Sequence, residues 1–151
     1  MRVARIADQA PAPWRNGRGV TRDLGHGEGW RLSLAEIDSA GPFSRFPGLQ
    51  RWFAVASGAV RLRFESGLGC ELHAASAPIA FPGEDAPHCE PSAGHGACRA
   101  LNLMVAREAW RGGLERRALR AGATLRPGEH ASALAVFGQR GRVAPVGERG
   151  A

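Results

Sequence analysis

Glycine and proline interrupt this chain so often that they set its fold class. With 21 glycines and 10 prolines in 151 residues, few stretches are long enough for a helix, and many suit a short strand closed by a turn. Between the breaks the sequence alternates with a period of two. Val60, Leu62 and Phe64 alternate with Arg61, Arg63 and Glu65, and the Ser57-Gly58 and Ser66–Gly69 turns bound this strand. Trp30, Leu32 and Leu34 alternate with Arg31, Ser33 and Ala35, which predicts a strand with the apolar set inward. Arg51 to Ala56 is mostly apolar and reads as a buried strand. Cys70–Ala74, Pro78–Phe81 and Leu101–Val105 read as further strands, and Leu134–Phe137 as a weak last one.

The remaining segments read differently. The first thirty residues, with PAPWRNGRGVTRDLGHGEGW, read as turn and loop. So do DSAGPFSRFPGLQ and Glu84–Gly96. Arg107–Leu119 has helical potential, interrupted by Gly112-Gly113 at about 1 kcal/mol per glycine relative to alanine. Many short strands with almost no helix predict an all-β sandwich or barrel, and a small barrel can hold one small ligand. No repeat period and no linker are evident, so residues 1–151 read as a single domain.

Charge and cysteine content narrow the function classes. All 20 basic residues are arginine, a bias of composition more than a sign of function. Residues 1–106 carry 11 Arg and 10 acids, and residues 107–151 carry 9 Arg and 4 acids, so the excess sits in the C-terminal part. A basic tail can contact nucleic acid or an acidic protein. No recognition-helix, RNA-binding or zinc-finger signature accompanies it, so nucleic acid is not an expected partner. No apolar run approaches the roughly 20 residues of a membrane-spanning helix, and no apolar stretch follows the first arginines as in a secretory signal. Three cysteines, Cys70, Cys89 and Cys98, are too few and odd for a disulfide scaffold. The expected location is the cytoplasm.

Trp14-Arg15-Asn16-Gly17-Arg18-Gly19-Val20-Thr21-Arg22 resembles the W-x-N-G-G-G-x-T-R-E opening of the HutD/Ves family. Trp30–Ile37 (WRLSLAEI), Gly41–Gly48 (GPFSRFPG) with Arg51, Phe81–Glu84 (FPGE) and Leu101–Met104 (LNLM) continue the likeness in order, over about residues 5–107. Residues 108–151 are basic and match weakly. The resemblance implies a cupin-type antiparallel β-barrel or jelly roll, with a second cupin half that is either incomplete here or completed by a partner chain as a homodimer. It also implies a cytoplasmic bacterial protein tied to histidine utilisation or stress response. Such proteins are thought to bind a small carboxylate such as urocanate or formylglutamate and moderate the pathway without catalysis. Arg18 stands where the family has its middle glycine, a strain if that position needs a positive φ.

The candidate ligand-binding residues follow from this. Arg22 and Arg51 would clamp a carboxylate, since the planar guanidinium matches it bidentately. Asn16 and Asn102 would add hydrogen bonds, although Asn16 equally suits an Asx turn. Trp14 and Phe46 would wall the pocket, although such aromatics also serve as plain core. Arg61 and Arg63 read as solvated. No catalytic residue, metal or cofactor is expected. The chain lacks the H-x-H of metal-binding cupins, and Cys70-x-x-His73 and His95-x-x-Cys98 would each need a turn to converge. The alternative is a metal-dependent cupin isomerase or oxygenase using His88, Glu84 and a second histidine.

Overall fold

Ten antiparallel strands make up the regular structure of the computed structural model, which describes residues 5–129 and 136–138. They are β1 (Ala12–Pro13), β2 (Gly19–Gly27), β3 (Trp30–Ile37), β4 (Gly41–Pro42), β5 (Leu49–Ser57), β6 (Ala59–Arg63), β7 (Gly69–His73), β8 (Ile79–Pro82), β9 (His88–Pro91) and β10 (Cys98–Ala106). One sheet has six strands in the order β1-β2-β3-β10-β5-β8, and the other four in the order β4-β9-β6-β7. The only helical element among the described residues is a 3₁₀ turn at Ile6–Asp8.

The two sheets share one apolar core. The large sheet contributes Ala35, Ile37, Phe53, Val55, Phe81, Cys98 and Ala100, and the small sheet Val60, Leu62, Leu72 and Cys89. The β6–β7 hairpin follows the alternation in the sequence: Val60 and Leu62 are buried while Arg61 and Arg63 point to solvent. β3 does not. Its register sets Ala35 against Ala100 and Ile37 against Cys98 on the core side, so Leu32 and Leu34 lie on the opposite face, which is also buried. The expected inward set is therefore on the outer side. Alternation cannot orient a strand whose two faces are both covered.

Part of that outer cover is the segment after β10. Trp110 stacks beside Gly29, and Gly112 sits close to Val105 and Trp52, so this glycine admits a tight crossing. Arg116 donates from Nε to the Ser76 carbonyl at 3.0 Å and from an amino group to the Val55 carbonyl at 2.8 Å. It thereby satisfies a β5 oxygen beyond the end of β8. The helix expected over Arg107–Leu119 is absent; two adjacent glycines and these backbone contacts hold an irregular course instead. Residues 117–129 carry no helix or strand, and the expected strand at Leu134–Phe137 begins outside the described residues.

Two segments expected as loop contain strands. β2 occupies Gly19–Gly27, where the glycines serve close approach more than turning: a Cβ on Gly19 would collide with the Glu36 carbonyl. β9 occupies only His88–Pro91, within Glu84–Gly96, and Pro87 before it and Pro91 at its end hide a four-residue strand.

Candidate functional site

The alternation of β5 directs Arg51 inward with Phe53 and Val55. Arg51 is 3% exposed. One amino group donates to the Ser44 carbonyl at 3.1 Å and the other to Asn102 Oδ1 at 3.0 Å. Asn102 reaches it from β10, on the face away from Leu101 and Val105. Three phenyl rings surround the guanidinium: its carbon lies 5.1 Å from the centroids of Phe43 and Phe81 and 5.4 Å from that of Phe46. Phe43 in turn packs on Phe53 at 5.4 Å.

Arg51 Nε is buried and has no partner. No carboxylate among the described residues pairs with this arginine. Burial pulls its pKa down to about 10, so the group is still cationic at neutral pH. The ring faces offset part of the desolvation, since a cation over an aromatic face gains on the order of 1–2 kcal/mol when desolvated. What remains is a buried positive charge with a free donor, an arrangement proteins rarely keep without an anion.

Beside this cage lies an exposed ion cluster. Arg107, at the end of β10, grips Glu84 bidentately and also donates to the Leu49 carbonyl at 2.8 Å. Glu84 Oε1 accepts from the Gly48 amide at 2.8 Å, and Arg45 donates to the Glu84 carbonyl at 2.8 Å and pairs with Glu65. The Arg107 guanidinium and then the Gly48 amide hold the Glu84 carboxyl down to about 2.

The six expected ligand residues divide into three places. Arg51, Asn102 and Phe46 come together in the cage. Trp14 and Asn16 line a shallow cleft with Arg18, Gly41, Phe43 and Cys89 that has no enclosed room even for a water molecule. Within it Trp14 Nε1 donates to Thr21 Oγ1 at 2.7 Å, and Asn16 Oδ1 accepts from the Arg18 amide at 3.1 Å as an Asx turn. Arg22 lies elsewhere. It is opposite Leu34 in the β2–β3 register, on the outer face of the sheet, with Nε on Glu36 at 3.1 Å and an amino group on the Gln9 carbonyl at 2.7 Å. The structure does not bring the two arginines of the expected clamp together.

Arg18 carries no strain. The positive φ falls on Gly17, at 68°, and among the described residues no residue other than glycine has one. Phe43, Ser44 and Phe81 belong to the site and were not singled out in the sequence, although they stand in the GPFSRFPG and FPGE segments. Their signal was an arginine in an otherwise apolar run, which needs rings and carbonyls around it.

The residues do not fit a cupin metal centre. Among the described residues no three His, Cys, Asp or Glu side chains cluster for a metal. Glu84 is engaged by Arg107, and Cys70 and His73 sit three apart on one strand, on opposite faces. Cys89 and Cys98 are both buried thiols, pushed up by that burial to about 12 and about 11.

A family model described as HutD matches residues 6–150, well past Arg107, where the motifs cease to be legible by eye. The chain belongs to the HutD family. It is 37% identical over 123 residues to an uncharacterized 21.2 kDa protein of the hutC 3′ region of Pseudomonas putida, covering 76% of this chain and 63% of that one. It is 34% identical to HutD of Pseudomonas fluorescens SBW25, whose structure is from a formate condition, with a TM-score of 0.61 over 69% of this chain and 59% of that one. The chain thus spans about three fifths of the length of these two relatives. An RmlC-like cupin from Shewanella frigidimarina shares only 11% identity but gives a TM-score of 0.57 over 72% of this chain and 94% of its own. The fold is therefore cupin-like, with the two sheets forming an unclosed barrel. Among the described residues no helix is long and apolar enough to cross a membrane.

Proposed function

We propose that this HutD-family protein binds a small carboxylate at Arg51 and moderates histidine utilisation by holding that ligand, without catalysing a reaction. The observation that supports this reading is the buried Arg51 Nε, which among the described residues has no partner, on a guanidinium with no carboxylate among them beside it. A carboxylate entering the cage would accept from Nε and an adjacent amino group in the fork geometry that suits it. Asn102 would hold the guanidinium's orientation through one amino group, and Phe43, Phe46 and Phe81 would keep water from competing. Arg22 takes no part in this site, and Trp14 and Asn16 wall the cleft on the other side of Phe43. The protein is read as cytoplasmic, in keeping with three unpaired cysteines.

The test is a thermal-shift titration with formate, urocanate, formylglutamate, histidine and a control dicarboxylate. A ligand at 100 times its Kd stabilises the folded state by about 2.7 kcal/mol. The expected result is a saturable upward shift for one of these carboxylates, lost in Arg51→Met and retained in Arg22→Met. A shift that survives Arg51→Met, or no shift with any of them, overturns the reading.

A further inference from the structure

Arg51 is sealed from solvent, and what seals it differs from side to side. Phe81 and Asn102 approach it from strands β8 and β10, which are tied into the large sheet by backbone ladders. Phe43, the Ser44 carbonyl and Phe46 approach it from the segment 43–48, which joins β4 of one sheet to β5 of the other. Ser44, Arg45, Pro47 and Gly48 in that segment are exposed. It therefore has an apolar underside against a buried cation and a polar outer side in water.

At its two ends the Phe43 amide donates to the Pro87 carbonyl at 3.0 Å and the Gly48 carbonyl accepts from the Arg107 amide at 3.1 Å; the other attachments converge on one neighbouring turn. The Phe46 amide donates to the Gly83 carbonyl at 2.6 Å, and the Gly83 amide donates to the Leu49 carbonyl at 2.7 Å. A Cβ on Gly83 would collide with the Phe46 carbonyl, so this contact requires glycine. Glu84 then takes the Gly48 amide on the same carboxylate that Arg107 holds, and its backbone carbonyl takes Arg45. Glu84 thus binds the roof to the end of β10 through side chains that are 43% and 39% exposed. Exposed pairs of this kind are weak individually, and a segment held by them opens at lower free energy than the ladders beneath.

We propose that segment 43–48 is a gate over Arg51 and that the Glu84 carboxylate is its latch. The gate rests on the carboxylate reading for its purpose, since a ligand that reaches Arg51 Nε has to displace this roof. Opening breaks the Phe46–Gly83, Gly48–Glu84, Arg45–Glu84, Phe43–Pro87 and Arg51–Ser44 bonds, swings Phe43 and Phe46 off the guanidinium and leaves Asn102 in place. Glu84 would then set how fast anions enter and leave, more than how tightly they are held.

Amide hydrogen exchange on the full chain reads the gate without any ligand. In the unmodified protein the Phe46, Gly48 and Gly83 amides are expected to exchange at least tenfold faster than the ladder amides of β5 and β10. Exchange of all of them at one common rate, that of global unfolding, overturns the proposal. Glu84→Gln is expected to speed the three gate amides a further several-fold with the β5 and β10 ladders unchanged. It is also expected to speed phenylglyoxal modification of Arg51, located by mass spectrometry, by the same factor. Faster exchange without faster Arg51 modification sinks the idea that this segment governs access. Should Glu84→Gln fold poorly, Arg45→Met removes the bonds to the Glu84 carbonyl and to Glu65, and the same smaller changes are expected. The two readings fail separately. Local opening without any carboxylate-induced thermal shift removes the ligand and keeps the gate; a thermal shift with only global exchange removes the gate and keeps the ligand.

Discussion

Arg51 on β5 and Arg107 just past the end of the neighbouring β10 live under opposite rules. Arg107 is 39% exposed, grips a carboxylate bidentately and caps a backbone carbonyl, so every charge there is answered. Arg51 is 3% exposed and, among the described residues, has no carboxylate partner and keeps one N–H idle. Surface pairs like the first contribute about 0–1 kcal/mol and are dispensable. A buried lone cation like the second lowers stability and persists where something outside folding selects it. The contrast assigns Arg107 and Glu84 to holding the structure closed and Arg51 to what the closure protects.

The sharpest way to break this contrast is to show that Arg51 is merely structural. Arg51→Ala removes the stem and the guanidinium from among three rings and leaves Asn102 Oδ1 and the Ser44 carbonyl without their donor. Cavity and orphaned acceptors together predict a loss of about 2–4 kcal/mol in urea unfolding. That loss alone does not distinguish a ligand site from a structural one. Arg51→Met combined with Asn102→Leu does, because it removes the charge and its buried partner together while refilling the volume. The double variant is expected to be more stable than the unmodified protein by about 1–3 kcal/mol, and to show no carboxylate-induced shift. A less stable double variant would mean that the cation contributes to the ligand-free fold.

The sequence announces some of this and conceals the rest for physical reasons. The β6–β7 hairpin was legible because one of its faces is wet, so Val60 and Leu62 stand out against Arg61 and Arg63. β3 was legible as a strand and not in its orientation, since both of its faces are covered. β2 was hidden because its glycines look like turn residues, while Gly19 is there to let the Glu36 carbonyl approach. Within the site, Arg51 could be found because a single arginine in an apolar run cannot face water on every side. Arg22 could not be excluded, because its partner Glu36 lies 14 residues away and only strand register brings them together. The cage ring Phe43 comes from the β4–β5 connection and Phe81 from β8, and no local pattern links them to Arg51.

The smallest expected effect separates the two arginines by pH. Glu84 has its carboxyl held at about 2, first by the Arg107 guanidinium and then by the Gly48 amide. The unfolded chain offers neither, so there the group titrates near 4.5. A depressed carboxyl contributes stability that is fully present above the unfolded value and is lost as pH falls through the folded one. The stability gap between the unmodified protein and Glu84→Gln is therefore expected to be flat above about pH 4.5 and to close as pH falls towards 2. Arg51 runs the other way. Its guanidinium is pulled down from 12.5 to about 10 by burial, so the folded state disfavours its charged form. The gap between the unmodified protein and the Arg51→Met, Asn102→Leu variant should stay constant from pH 2 to about 8. It should then shift in favour of the unmodified protein as pH rises through 10. Paired denaturation series at stepped pH measure both. If the Glu84 gap stays flat to pH 2, the clasp is not held by that carboxylate. If the Arg51 gap moves in acid, a carboxylate has been pairing with the buried cation after all.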